Sequence, residues 1–168
     1  MQDNMKVEVV TVGPTLNLKF LGSISETSKF PEIKLANINE VSLDFGDVTY
    51  INSAGVRHWI KWMWHFEKEK AGLSFSIQRC SPRIVRQIHA INSFVPKTTQ
   101  IKSFLIPYEC EQCSNNIEKL FTVEATFKTK LESLAAVLNE TVICPKCGSK
   151  MDLDAIPEDY FALIQNRS

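Results

Sequence analysis

Neither charge predominates in this sequence: Lys and Arg together number 19, and so do Asp and Glu. No global positive field is available to draw in nucleic acid, so partners must be argued from local features. Long apolar runs are missing too. No stretch supplies the roughly 18 consecutive apolar residues that a membrane-spanning helix needs, and residues 1–12, which include Asp3, Lys6 and Glu8, carry no signal-peptide-like run. These absences point to a cytoplasmic chain without a membrane partner. Walker loop, nucleophile elbow, paired catalytic carboxylates and dinucleotide fingerprint are all absent, which leaves catalysis no visible seat. What is present is a balance of 44% hydrophobic and 23% charged residues over 168 positions, enough for a real core.

Two textures divide the chain near Pro107. Residues 1–106 read as an α/β unit and residues 107–168 as a small metal-stapled module with a C-terminal helix. In the first segment, Val7, Val9, Thr11 and then Leu16, Leu18, Phe20 alternate with polar neighbours around Gly13-Pro14, which predicts a hairpin or two successive strands. Ser25 or Thr27 starts a short helix that Pro31 stops near Ile33. Val41, Leu43 and Phe45 mark a third strand, which runs into Gly46-Asp47 and a brief apolar stretch from Val48 to Ile51. Val56, Trp59, Ile60, Met63 and Phe66 recur at helical spacing between Ala54 and Lys70, before Gly72. A strand at residues 73–77 follows, and Ser81-Pro82 opens a second helix carrying Ile84, Val85 and Ile88. In the second segment, residues 120–127 are strand-like, and Pro157 with Glu158 and Asp159 opens a helix whose apolar face is Tyr160, Phe161 and Leu163.

Five cysteines is an odd number, and four of them lie in two Cys-x-x-Cys pairs, a poor fit to a secreted disulfide framework. Cys110-Glu-Gln-Cys113 and Cys144-Pro-Lys-Cys147-Gly148 each put two thiols on one tight turn, so that four sulfurs can surround one tetrahedral ion. Pro145 fixes the backbone between two ligands and Gly148 relaxes it just after. This is the layout of a zinc ribbon with one structural zinc ion, since four thiolates leave no open position for catalysis. The competing readings are a redox Cys-x-x-Cys and two local disulfides. Cys80 stands apart and reads as a buried thiol.

The run Val41-Ser-Leu-Asp-Phe-Gly-Asp-Val-Thr-Tyr-Ile-Asn-Ser-Ala-Gly-Val56, then a helix, then Gly72-Leu-Ser-Phe-Ser-Ile77 and Ser81-Pro-Arg-Ile-Val85, resembles the STAS domain, the module shared by anti-sigma factor antagonists and sulfate transporters. The resemblance covers roughly residues 6–106 and implies a mixed sheet with helices. Family members carry Asp-Ser-(Ser or Thr)-Gly in the loop where this chain has Asn52-Ser53-Ala54-Gly55. From the residues alone, Asn52 or Ser53 caps the following helix, and the helix start favours an anion. The resemblance implies more: that Ser53 is phosphorylated by a serine kinase, and that the Asn52–Gly55 loop docks on a protein partner such as an anti-sigma factor until phosphate at Ser53 repels it.

Trp62 falls off the face defined by Val56, Ile60 and Met63. It is expected to be exposed there, either as part of a partner surface or as the seat on which the ribbon docks. His58 and His65 read as surface or interface residues. Arg79, Arg83, Arg86, Lys97 and Lys102 form a modest basic patch, a solvated face in a chain of zero net charge. The sequence therefore predicts a non-enzymatic regulatory module that binds a protein. The alternative is a zinc-ribbon regulator that binds nucleic acid.

Overall fold

The turn at Gly13-Pro14 folds Lys6–Val12 (β1) back on Thr15–Ile24 (β2) as an antiparallel hairpin, with Val12 opposite Thr15. The computed structural model describes residues 4–123 and 127–165. Glu40–Ile51 (β3) lies parallel to β2, with Leu16 opposite Val41 and Leu18 opposite Leu43. After the helix Ser53–Glu69 (α1), Ser74–Gln78 (β4) adds parallel to β3; after Pro82–Ala90 (α2), the short Gln100–Ile101 (β5) adds parallel to β4. The result is one mixed sheet in the order β1-β2-β3-β4-β5.

Alternation sorts its two faces. Leu16, Leu18, Phe20, Val41, Leu43, Phe45, Phe75 and Ile77 are buried on the core side, where Trp59 and Met63 of α1 and Ile84, Val85 and Ile88 of α2 join them. The other face is polar. Asn17, Ser42, Ser76 and Gln100 are in register across it, Ser76 Oγ and the Glu40 carboxylate are hydrogen-bonded at 2.9 Å, and Gln78 Nε2 donates to Ser42 Oγ.

The helix expected between Ser25 and Ile33 does not form. Residues 25–39 hold turns, because their hydroxyls take up local backbone groups that a helix would need. Ser28 Oγ accepts from the Ser25 N–H at 2.8 Å and donates to Ser23 O, while Ser25 Oγ and Thr27 Oγ1 are 3.0 Å apart. Leu35 and Ile38 pin the segment to the core. The third strand and the apolar stretch that it runs into, Val48–Ile51, form one twelve-residue strand. Register shifts against β2 let both Phe45 and Val48 face inward although they are three positions apart.

A second sheet in the order β7-β6-β9-β8 is antiparallel throughout. It is formed by Ser103–Glu109 (β6), Asn116–Thr122 (β7), Val142–Ile143 (β8) and Lys150–Leu153 (β9). Between β7 and β8 runs the helix Phe127–Leu138 (α3), so Phe127, expected at the end of a strand, opens a helix instead; residues 124–126 of the expected strand lie outside the described residues. Pro107 lies within β6. The two sheets meet at Cys80, whose N–H donates to Ser103 O at 3.0 Å and whose carbonyl accepts from Leu105 N–H at 2.9 Å. The last helix, Pro157–Gln165 (α4), returns to the α/β segment: the Tyr160 ring lies 5.2 Å from Phe104, its hydroxyl donates to Leu105 O, and His89 Nε2 is 3.6 Å from Asp159. Buried apolar residues from both segments form a single cluster.

Candidate metal centre and Ser53 loop

Each Cys-x-x-Cys pair sits on the tip of a hairpin, Cys110 and Cys113 between β6 and β7, Cys144 and Cys147 between β8 and β9. The two tips have the same backbone. Cys110 N–H donates to Asn115 O and Ser114 N–H to Cys110 O; correspondingly, Cys144 N–H donates to Ser149 O and Gly148 N–H to Cys144 O. The residue after the second cysteine is left-handed in both, Ser114 at φ 53° and Gly148 at φ 75°. Glycine adopts that conformation freely, whereas Ser114 holds it at a cost of roughly 1 kcal/mol.

Antiparallel pairing of Tyr108 with Leu153 and Glu109 with Asp152 brings the tips together. Cys110 Sγ lies 3.5 Å from Cys147 Sγ and Cys113 Sγ 3.6 Å from Cys144 Sγ, and all four sulfurs lie within 4.8 Å of one another. The cysteines are free thiols, so neither local disulfide forms. A tetrahedral ion with bonds of about 2.3 Å to sulfur would space its ligands by about 3.8 Å, so the cluster fits such an ion. The four cysteines can therefore hold one metal ion.

The thiols are electrostatically unequal. The Ser149 hydroxyl and N–H, aimed at the Cys147 sulfur, hold that thiol down to about 6. Cys144 is pushed up by desolvation, but the N–H groups of Cys147 and Lys146 outweigh this and leave it lowered. Cys113 is pushed up to about 12 by desolvation, with its neighbouring sulfurs adding to the rise. A metal must displace the remaining protons, so affinity falls as the pH falls.

At the far end of β3, Asn52 caps α1: its side-chain oxygen accepts from Gly55 N–H at 2.8 Å, and its Nδ2 donates to Glu26 at 2.8 Å. Sequence alone left the cap open between Asn52 and Ser53; the structure assigns it to Asn52, and Ser53 is exposed as the first helical residue. An aspartate at position 52 would set two carboxylates against each other here, whereas the amide donates. This bond also holds the Glu26 carboxyl below its ordinary range. Gly55 is buried against β2, and a Cβ there would lie 2.3 Å from Ile24 O. Ala54 is half-buried beside it.

Trp62 is not the exposed tryptophan. Its ring stacks on Phe30 at 5.0 Å, meets Phe66 edge-on at 4.7 Å, and donates from Nε1 to Pro31 O, so the 25–39 segment and not the second segment covers it. Trp64 is the exposed one, at 57%, with Lys68 over its ring. His58 is exposed, and His65 Nδ1 lies 2.8 Å from Lys61 O. The expected basic patch is partly neutralised by carboxylates. Arg79 is engaged by Asp44 at 2.9 Å and Asp47 at 3.1 Å, with Lys19 also on Asp47. Arg83 and Arg86 line a groove of about 500 Å³ with Tyr108, Asn116, Glu118 and Asp154, which sequence reasoning missed because its walls come from both segments.

Comparisons of the chain with protein-family models, with curated proteins and with solved structures give no match.

Proposed function

We propose that this chain is a non-enzymatic regulatory module that binds a protein partner through the Asn52–Gly55 loop and is released by phosphorylation of Ser53. The α/β segment resembles a STAS domain of the anti-sigma factor antagonist kind, and the second segment is a zinc ribbon. The observation that carries the reading is the division of labour at the helix start: Asn52 makes the cap and Ser53 is left exposed at the positive end of α1. A phosphate there gains the helix dipole while adding nearly two negative charges to the docking face. With Glu26 held ionised next to Asn52, the modified loop would carry a concentrated negative charge against an acidic or apolar partner.

Zinc suits the second segment because four thiolates are a soft, tetrahedral donor set, and a complete set leaves the ion a structural role. The nucleic-acid reading is weakened by the pairing of Arg79 with Asp44 and Asp47, which removes a cation from the patch it requires.

The test compares Ser53→Ala and Ser53→Asp proteins, immobilised and incubated with extract of the cells that make the chain. A protein retained by Ser53→Ala and depleted about tenfold on Ser53→Asp is expected, since a like-charge contact at a docking face costs on the order of 1 kcal/mol or more. Identical sets of retained proteins would sink the switch.

A further inference from the structure

β1 forms an outer edge of the five-stranded sheet, and no described strand pairs with its free side. Such an edge is normally blunted by proline, a bulge or a row of charges. Here seven residues are regular, with Val9 45%, Val10 56% and Val12 64% exposed, and only Lys6 and Glu8 carry charge. The two-residue turn closes on the pair Val12 and Thr15, so Val12, Val10, Glu8 and Lys6 direct their backbone groups toward β2. Val7, Val9 and Thr11 then direct theirs outward, where they need a partner strand or water.

We propose that this edge pairs with β1 of a second copy, antiparallel about a two-fold axis at Val7, joining the two sheets into one of ten strands. The strand is complementary to itself in that register. On one face Lys6 stands opposite Glu8 of the second copy and Glu8 opposite its Lys6. Within one chain the same two groups are already 3.3 Å apart, so four charges alternate in sign across the axis. On the other face Met5 meets Val9, Val7 meets Val7 and Val9 meets Met5, extending an apolar row that begins at Leu18 and Phe20. Pairing about Val9 would also satisfy the backbone, but it sets Lys6 against Val12 and Glu8 against Val10, each charge facing an apolar side chain. The axis at Val7 is the one that matches charge with charge. A contact confined to one strand edge buries less than about 1,200 Å², so the dimer belongs to the weak, concentration-dependent class.

Sedimentation velocity on the full chain, from about 5 to about 500 μM at low salt, reads this directly, the range being that of weak interfaces. The wild type is expected to shift from monomer toward dimer across the range. Glu8→Lys places lysine opposite Lys6 and is expected to weaken association about tenfold or more. The reversed pair, Lys6→Glu with Glu8→Lys, restores it. A mixture of the Lys6→Glu protein with the Glu8→Lys protein associates where each alone does not. Both positions changed are exposed, and matching melting curves confirm that the variants fold. Monomeric wild type over the whole range overturns the proposal, as does a dimer indifferent to Glu8→Lys or one that the reversed pair fails to restore.

Discussion

Stripping any bound metal from the purified chain, or replacing Cys144 with alanine, is expected to unfold the hairpin of β8 and β9 and to release it from β6. The strands that carry the second sulfur pair contribute little on their own: β8 has two residues and β9 four, and β9 meets β6 over only two register pairs. A hairpin of that size is marginal in water, so a bound ion would supply what pairing cannot. Structural zinc in such sites contributes on the order of 10 kcal/mol, more than most domains have to spare. Cys110 and Cys144 are also buried in the common core, so their removal exposes apolar surface as well as losing a ligand. The measurement pairs metal analysis with far-ultraviolet dichroism. Protein purified without added zinc should hold about one equivalent, and chelation should remove metal and ordered structure together. Loss of the ion with an unchanged melting curve would show that the sulfur cluster does not hold the fold.

The second large effect is at Trp59. Replacing it with alanine is expected to cost about 4 kcal/mol and to lower the melting temperature by about 10 °C. The side chain is fully buried between sheet and helices: Phe20 and Phe45 meet it edge-on at 5.3 Å each, and Phe94 stacks on it at 5.5 Å. Its Nε1 donates to Phe94 O at 2.6 Å, which ties the loop after α2 to the middle of α1. Alanine leaves a large cavity and an orphaned carbonyl, and phenylalanine leaves mainly the carbonyl, so Trp59→Phe should cost less, about 1–3 kcal/mol. Denaturant unfolding distinguishes the two. An alanine variant within about 1 kcal/mol of wild type would mean that the aromatic cluster can close over the gap.

Much of this fold could be read from local signals. The apolar spacing of Val56, Trp59, Met63 and Phe66 and the proline at position 82 placed α1 and α2 nearly to the residue, because a helix is written in neighbours three and four apart. The paired Cys-x-x-Cys turns announced a common sulfur cluster in the same way. Readings failed where a residue's fate depended on something distant. Trp62 falls off the apolar stripe of its own helix, yet Phe30 and Pro31, more than thirty positions earlier, fold over it. Residues 25–33 have a helix start and stop, but their hydroxyls satisfy one another first. The cap at α1 depended on Glu26, which gives Asn52 an acceptor that no local pattern reveals. The groove beside Arg83 and Arg86 exists only once α2 and the second sheet lie side by side.

Cys80 gives the molecule an internal chemical clock. Its main-chain groups join the two sheets, and its thiol is fully buried. A buried thiol is inert to alkylating reagents, and metal-bound thiolates are shielded by their ion. With the proposed ion bound, the five cysteines would therefore answer a thiol reagent in two stages: four become reactive when the metal leaves, and the fifth only when the junction between the sheets comes apart. Counting labelled sulfurs by mass against time thus separates loss of the ion from loss of the α/β core, without any added probe.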